Sequence, residues 1–243
     1  MTVPGAARVA LVTGAAGGLG SAIVERLRAD GFTVECADQI RPAGSEHLRG
    51  HVCDVRDPHA WAGLAATLAA RHGQIDAVVH AAGWYRPNLP FAELSPDLWH
   101  DHLAANLHSA YLACRVLFPL LSPHSAVVLF SSTLASRPTP QSLAYSVAKA
   151  GVEALVRGLA AEAGAKGQRI NAIAPGPVDT PMLRGNAQGA EDAAALMARL
   201  EARVPGGRLV TREEVAALAA YLCSPAAAMV NGAVIPLDGG QGI

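Results

Sequence analysis

The sequence predicts an α/β fold: a doubly wound parallel sheet of about seven strands with helices on both faces. Two observations carry that reading. Short β-branched apolar runs alternate with longer Ala-rich stretches along the 243 residues, the order expected of repeated βα units. The runs are continuous rather than alternating, as strands covered on both faces should be. They lie at Arg8–Thr13, Thr33–Asp38, Gly50–Cys53, Asp76–Ala81, Ser125–Ser131, Gln168–Ala174 and Ala233–Pro236.

Helices fill the gaps, and several carry start signals. Asp57-Pro58 sets a capping carboxylate before a proline at the first helical position, and Ser95-Pro96 repeats the device. Thr211 with Glu214 forms a capping box ahead of Val215. No linker or repeat interrupts the series, so residues 1–243 read as one domain. One segment departs from the alternation. Pro175 to about Gly189 is rich in Gly, Pro, Asn and Gln, and an Ala-rich helix follows from Glu191 to about Arg203. An excursion of this kind reads as a lid over a site, spanning about 181–205, with its tip Gly185-Asn186-Ala187-Gln188-Gly189 expected to move.

Composition narrows the function. Lys+Arg number 19 against 20 Asp+Glu, a net charge of -1, so no basic excess draws the chain to nucleic acid or anionic lipid. A hydrophobic share of 51% excludes disorder. The long uncharged stretch Val215 to Leu237 is broken by Ser224-Pro225, Asn231-Gly232 and Pro236. It reads as helix, turn and strand rather than a membrane span. The N-terminus shows no basic region followed by an apolar core. Cys36, Cys53, Cys114 and Cys223 stand far apart, as expected of reduced thiols in a cytoplasmic protein. Nine histidines give no metal-ligand spacing.

The first strand runs into Thr13-Gly14-Ala15-Ala16-Gly17-Gly18-Leu19-Gly20 and then the helix of Ser21-Ala22-Ile23-Val24. Gly14, Gly17, Gly18 and Gly20 permit a tight turn and a close approach of a pyrophosphate, and the helix start offers free N–H groups. The second strand ends at Asp38, 18 residues beyond Gly20. An acidic group there accepts from both ribose hydroxyls and repels a 2′-phosphate, so NAD is expected over NADP, with Arg41 the one neighbour able to soften the choice. Asp54-Val55, after the third strand, offers an acceptor beside a backbone amide, suited to an adenine edge.

Tyr145 and Lys149 stand four apart, on one helical face. A lysine cation near a phenol favours the phenolate and lowers its pKa toward working pH, the tuning a general acid/base needs. Ser131-Ser132 closes an apolar strand thirteen residues upstream and faces the ligand crevice.

On these residues the chain resembles the short-chain dehydrogenase/reductase family in its compact Rossmann-fold form. The likeness covers nearly the whole length and rests on Thr13-Gly14-x-x-x-Gly18-x-Gly20, Asp54, Asn106, Ser132, Tyr145-x-x-x-Lys149, Asn171, Pro175-Gly176 and Thr180. It implies that Tyr145 exchanges a proton with the substrate oxygen, Ser132 holds that oxygen, and Lys149 binds the nicotinamide ribose. It implies too that Asn106 holds a water linked to Lys149. Pro175, Gly176, Val178 and Thr180 would wrap the nicotinamide, while Leu19, Ala81, Ala82 and Gly83 line the cofactor. One departure stands out: where the family commonly carries Asn-Asn-Ala-Gly, this chain has His80-Ala81-Ala82-Gly83, and His80 is expected to brace the sheet.

The expected activity is hydride transfer between NAD and a secondary alcohol or ketone. A reductase of carrier-bound or polyketide-like carbonyls, using NADPH, and a non-catalytic NAD-binding scaffold stay open as alternatives. The substrate pocket is expected from Trp84, Tyr85, Ser132, Leu134, Ser142, Tyr145 and Pro177, with Met182 and Leu183 from the lid and Leu196 and Met197 behind them. The family likeness implies a homotetramer, with Leu107, Tyr111, Val116, Leu117, Val152 and Leu155 as candidates for either its interface or the core.

Overall fold

The computed structural model describes residues 8–40, 49–86, 90–185 and 189–242. Arg41 and the lid-tip residues Asn186, Ala187 and Gln188 lie outside them. Seven parallel strands form one sheet in the order β3-β2-β1-β4-β5-β6-β7. They are β1 (Val9–Thr13), β2 (Thr33–Asp38), β3 (Arg49–Val52), β4 (Ile75–His80), β5 (Leu121–Phe130), β6 (Arg169–Pro175) and β7 (Val234–Leu237). The order reverses between β1 and β4, which lie side by side in register. Ligands bind outside the carboxyl ends of strands at such a switch point.

The strands occur where the apolar runs predict, with ends displaced by one residue in most cases. The exception is β5, which begins four residues before the expected Ser125. Its first turn contains Pro123 and His124, the latter at φ 67, and the register with β4 shifts between Ile75 and Ala77. Proline and a left-handed residue argue against a strand from sequence. The irregular ladder accommodates both.

Helices cover the two faces. α1 (Gly18–Ala29) and α9 (Arg212–Leu222) pack Ile23, Leu27, Val215 and Leu222 on one face. α2 (Pro58–His72), α4 (Ser109–Leu117) and α6 (Leu143–Ala165) bring Trp61, Leu68, Leu117 and Val152 to the other. Leu117 and Val152 are thereby core residues. Trp61 is fully buried, and its indole N–H donates to the Val55 carbonyl at 2.8 Å, so the large ring leaves no polar orphan. The proposed caps form as expected: Asp57 accepts from the His59 N–H, Ser95 from Leu98, and Thr211 and Glu214 close a capping box. Ser95 starts α3 (Pro96–Leu103). Two four-residue helices, α5 (Thr133–Ser136) and α7 (Pro181–Arg184), and the twelve-residue α8 (Ala190–Glu201) lie among the remaining described residues.

All four cysteines are buried and unpaired. Burial pushes the Cys36 and Cys53 thiols up to about 11 and those of Cys114 and Cys223 up to about 12, which keeps them protonated. Among the described residues no helix is long and apolar enough to cross a membrane.

A buried carboxylate ties the sheet edge to α2. Glu35, on β2, is fully buried yet receives His51 and His72 Nε2 at 2.6 Å each, Arg71 Nη1 at 2.9 Å and Arg49 Nη1 at 3.5 Å. Burial acts to raise its pKa, but hydrogen bonds from His51, His72 and Arg71 outweigh it and hold the carboxyl down to about 2. Because the folded value lies below the ordinary 4.5, the stability Glu35 contributes is full above about pH 4.5 and is lost as the pH falls toward 2. Glu35→Gln should cost about 1–3 kcal/mol at neutral pH, and urea melts at a series of pH values should show the gap to wild type closing across that acid window. A constant gap contradicts this assignment.

Candidate active site

The switch point between β1 and β4 opens onto a cleft of about 550 Å³. Its floor is the turn after β1. Gly14 adopts φ +66, and a Cβ there would stand 2.7 Å from the Ala82 backbone nitrogen. A Cβ on Gly20 would lie 2.0 Å from the Gly14 carbonyl oxygen, so helix and turn meet only because both are glycine. The helix starts at Gly18, three residues before the expected Ser21. Its N-cap is Gly17, with no capping side chain and no acidic residue in the first turn, which leaves the positive end of the helix dipole facing the cleft. Gly14, Gly17, Gly18, Leu19 and Gly20 all line it.

The remaining walls come from four strand ends. Asp38 sits at the rim, oriented by backbone N–H donors: Ala16 to Oδ2 at 2.9 Å and Gln39 to Oδ1 at 2.7 Å. Ala81, Ala82, Gly83 and Trp84 follow β4. Val55 contributes from beyond β3, but Asp54 does not take the open acceptor role that the sequence suggests. Arg56 grips its carboxylate at 3.0 and 2.7 Å and holds the group down to about 2. From the lid side, Thr180 caps α7 by accepting from the Leu183 N–H, and Thr180, Pro181 and Met182 close over Gly18.

Other expected members stand behind these walls. Pro175 ends β6, and the Gly176 N–H donates to the Leu237 carbonyl. The Pro177 carbonyl accepts from the Val210 N–H, and Val178 is buried beside Val210. Leu183 joins Met197, Val204, Leu209 and Leu196 in a small separate core within the lid. Asn171 clamps β7, donating to the Val230 carbonyl and accepting from the Ala233 N–H.

The structure brings Asn106, Ser132, Tyr145 and Lys149 together where β4 and β5 end. Ser132 caps α5, its Oγ accepting from the Leu134 N–H at 3.2 Å, and it stands beside Tyr145. Tyr145 and Lys149 share one face of α6, as their spacing predicts. Lys149 Nζ donates to the Phe130 carbonyl at 2.8 Å and lies 5.4 Å from the tyrosine ring centre. Burial lowers the lysine to about 8. The phenol departs from expectation. Burial raises its pKa, against the lowering pull of the Ser132 hydroxyl. The expected acidification by Lys149 does not outweigh that burial, and Nζ is engaged by the Phe130 carbonyl.

Asn106 also differs from expectation. It lies in a π-helical turn, Ala104–His108, and its amide is spent on protein. Nδ2 donates to the Trp84 and His102 carbonyls at 2.8 and 3.0 Å, while Oδ1 accepts from the Trp84 N–H at 3.0 Å. It thus fixes the loop after β4, rather than presenting a free amide toward Lys149. A Cβ on Gly83 would sit 3.0 Å from Asn106 Oδ1 and 3.6 Å from Lys149 Nζ, so that glycine preserves the gap between them.

Beside Tyr145 a second, nearly closed cavity offers about 10 Å³, room for one water. Ser142 borders it, but its hydroxyl is engaged by Thr139 and Ser146. The Tyr85 ring lies across Tyr145, centroids 4.8 Å apart.

Sequence reasoning placed His80 in the sheet without its network. Ala82 N–H donates to Thr13 Oγ1 (3.3 Å), and Thr13 Oγ1 meets His80 Nδ1 (2.9 Å). His80 Nε2 meets Ser109 Oγ (3.1 Å), and Ser109 donates to the Ala105 carbonyl (2.7 Å). Since Ser109 spends its proton on Ala105, the chain is satisfied only by a neutral imidazole protonated at Nε2. Burial, with Lys149 nearby, pushes His80 down to about 3. No sequence period marks this residue, because its partners come from three separate elements. His80→Leu should lose about 1–3 kcal/mol, as it removes one hydrogen-bond partner from each of two buried hydroxyls. Wild type should also lose stability as the pH falls from 6.5 toward 3, because only the unfolded chain takes up that proton. His80→Asn melted over the same range should lack this component, and an identical slope contradicts the assignment.

Comparison with known proteins agrees with this geometry. A family model described as enoyl-(acyl carrier protein) reductase matches residues 14–241. D-threitol dehydrogenase of Mycolicibacterium smegmatis is 36% identical, over 97% of this chain and 93% of its own. Cis-4-hydroxycyclohexanecarboxylate dehydrogenase of Sinomonas cyclohexanicum is 38% identical, over 97% and 96%. A solved structure from Brucella melitensis, described as a short-chain dehydrogenase/reductase of glucose/ribitol dehydrogenase type, superposes with a TM-score of 0.88. It is 30% identical and covers 96% of each chain. With likeness running the full length, and the serine, tyrosine and lysine converging beside a glycine-floored cleft, the chain belongs to the short-chain dehydrogenase/reductase family.

Proposed function

We propose that this protein is an NAD-dependent dehydrogenase that interconverts a small secondary alcohol and its ketone, with Tyr145 as the general acid/base. The observation that carries the reading is the convergence of Ser132, Tyr145 and Lys149 beside the cleft, with Lys149 Nζ 5.4 Å from the Tyr145 ring centre on the same helix face. The oxidoreductase class follows from the family; the direction, the cofactor and the substrate are the proposal.

The cleft fits a dinucleotide. A Cβ at Gly14 or Gly20 would fill the space where backbone and ligand must meet, and the uncapped start of α1 supplies N–H donors. When bound, the nicotinamide supplies the hydride acceptor or donor. The protein's own part is positional and electrostatic. Ser132 holds the substrate oxygen. Tyr145 takes the hydroxyl proton in oxidation and returns it in reduction. Lys149 contacts the nicotinamide ribose, and its positive charge favours the phenolate. Asn106 keeps the β4 loop in place beside them. Gly14 to Gly20, Val55, Ala81, Ala82, Gly83 and Thr180 cradle the cofactor, with Asp54, Pro175, Gly176 and Val178 behind. Trp84, Leu134, Ser142, Pro177, Met182 and Leu183 border the substrate side.

Asp38 supports NAD over NADP. Its carboxylate is presented at the cleft rim by two backbone donors, where a 2′-phosphate meets like charge. A single domain with the lid at 181–205, a cytoplasmic location consistent with four protonated thiols, and a homotetramer complete the reading. Tyr111 and Val147 leave apolar surface on α4 and α6 for that assembly. The family model's description favours one second reading, reduction of a carrier-bound acyl substrate with NADPH.

Tyr145→Phe should retain NADH binding by fluorescence titration and lose about 10²–10⁴-fold in kcat. Near-wild-type turnover overturns the assignment. Wild type should use NAD at least about tenfold more efficiently than NADP, and Asp38→Ser should narrow that ratio. A preference for NADP in the wild type would favour the second reading instead.

A further inference from the structure

The small cavity beside Tyr145 contains one buried polar group that the chemistry above does not use. His102 lies in the last turn of α3, four residues before Asn106, and is 2% exposed. Its ring stacks on Trp84, with centroids 4.6 Å apart, and meets Tyr145 edge-on at 6.3 Å. The cavity's other walls include the apolar Phe91, Leu94 and Leu98. Nδ1 is buried and, among the described residues, finds no hydrogen-bond partner. Buried polar atoms are almost always paired, so an orphan in a cavity at the reacting group marks a place where a partner arrives.

The kind of partner follows from what an imidazole nitrogen can do. Nδ1 carries a proton or a lone pair according to the tautomer, and a hydroxyl, which both donates and accepts, satisfies it in either case. Tyr145 and His102 are neighbours, so a hydroxyl reaching Nδ1 belongs to a carbon close to the one that reacts.

We propose that His102 is a specificity residue: its Nδ1 hydrogen-bonds a second hydroxyl adjacent to the reacting one, selecting 1,2-diols and polyols over simple alcohols. This rests on the reading of Tyr145 as the proton-exchanging group. In oxidation the reacting carbon loses its hydrogen as hydride to the nicotinamide and its O–H proton goes to Tyr145. The second hydroxyl leaves unchanged, so the product is an α-hydroxyketone.

The test compares cis-1,2-cyclohexanediol with cyclohexanol on wild type, His102→Val and His102→Asn. The wild type should favour the diol by about tenfold or more in kcat/KM. His102→Val should erase most of that ratio, chiefly through KM for the diol. His102→Asn, whose amide can hydrogen-bond from nearly the same point, should restore part of it. A wild type that prefers cyclohexanol, or a ratio unmoved in His102→Val, overturns the proposal. A second readout needs neither turnover nor a folded variant. ¹⁵N-histidine NMR of wild type with NADH should show the His102 Nδ1 signal moving on addition of the diol and not of cyclohexanol. The absence of a diol-specific movement also overturns it. Should Tyr145→Phe stay active while the NMR response persists, the proton-transfer reading fails and the specificity assignment stands.

Discussion

At the carboxyl end of the seam between β1 and β4, a side-chain hydrogen bond joins Thr13 and His80, residues that pair across the ladder. Everything the site needs hangs from it. On one side Thr13 holds the Ala82 N–H, against which the Gly14 turn is pressed. On the other, His80 reaches through Ser109 to the carbonyl of Ala105, inside the π-helical turn that carries Asn106. Cofactor floor, β4 loop and catalytic corner are therefore one hydrogen-bonded unit. A chain with no spare donor or acceptor has a single satisfied arrangement, which is how it positions groups rather than merely stabilising them.

Burial governs the electrostatics around that unit. It depresses His80 to about 3 and Lys149 to about 8, and it raises Tyr145. All three shifts favour neutral forms, yet a lysine near 8 still carries its charge at neutral pH, so Lys149 keeps a positive charge in the corner. The charge that tips the phenol toward phenolate has to be concentrated there by the lysine as substrate and cofactor contacts form. The tilted ring of Tyr85 over Tyr145 fits the same picture of a dry site. Among the described residues, the cavity bordering Tyr145 has room for one water, and the Tyr85 ring lies across the phenol.

Much of this was readable in the chain. Seven continuous apolar runs located seven strands because strands buried on both faces need no polar alternation. The glycine turn, Asp38, Ser132 and the Tyr145–Lys149 spacing located the cleft because each obeys a local rule of turn, strand end or helix face. What escaped has a common cause. His80, His102 and Asn106 act through partners distant in sequence, so no window of neighbours betrays them. For His102 the relevant neighbour is Asn106 at the next turn, whose Nδ2 donates to the His102 carbonyl. The contacts of Asn106 with Trp84 and of Asp54 with Arg56 were not announced by spacing either. The start of β5 escaped through Pro123, a residue that local propensity assigns to a break.

The central claim is that the Tyr145 hydroxyl works on a substrate oxygen beside the dinucleotide. A crystal structure with NADH and a non-reacting ketone analogue tests it most directly. The account predicts that the Tyr145 and Ser132 oxygens both lie within about 3.2 Å of the analogue's carbonyl oxygen, with the Tyr85 ring displaced. A carbonyl bound away from Tyr145, with Tyr85 still stacked upon it, would contradict the account.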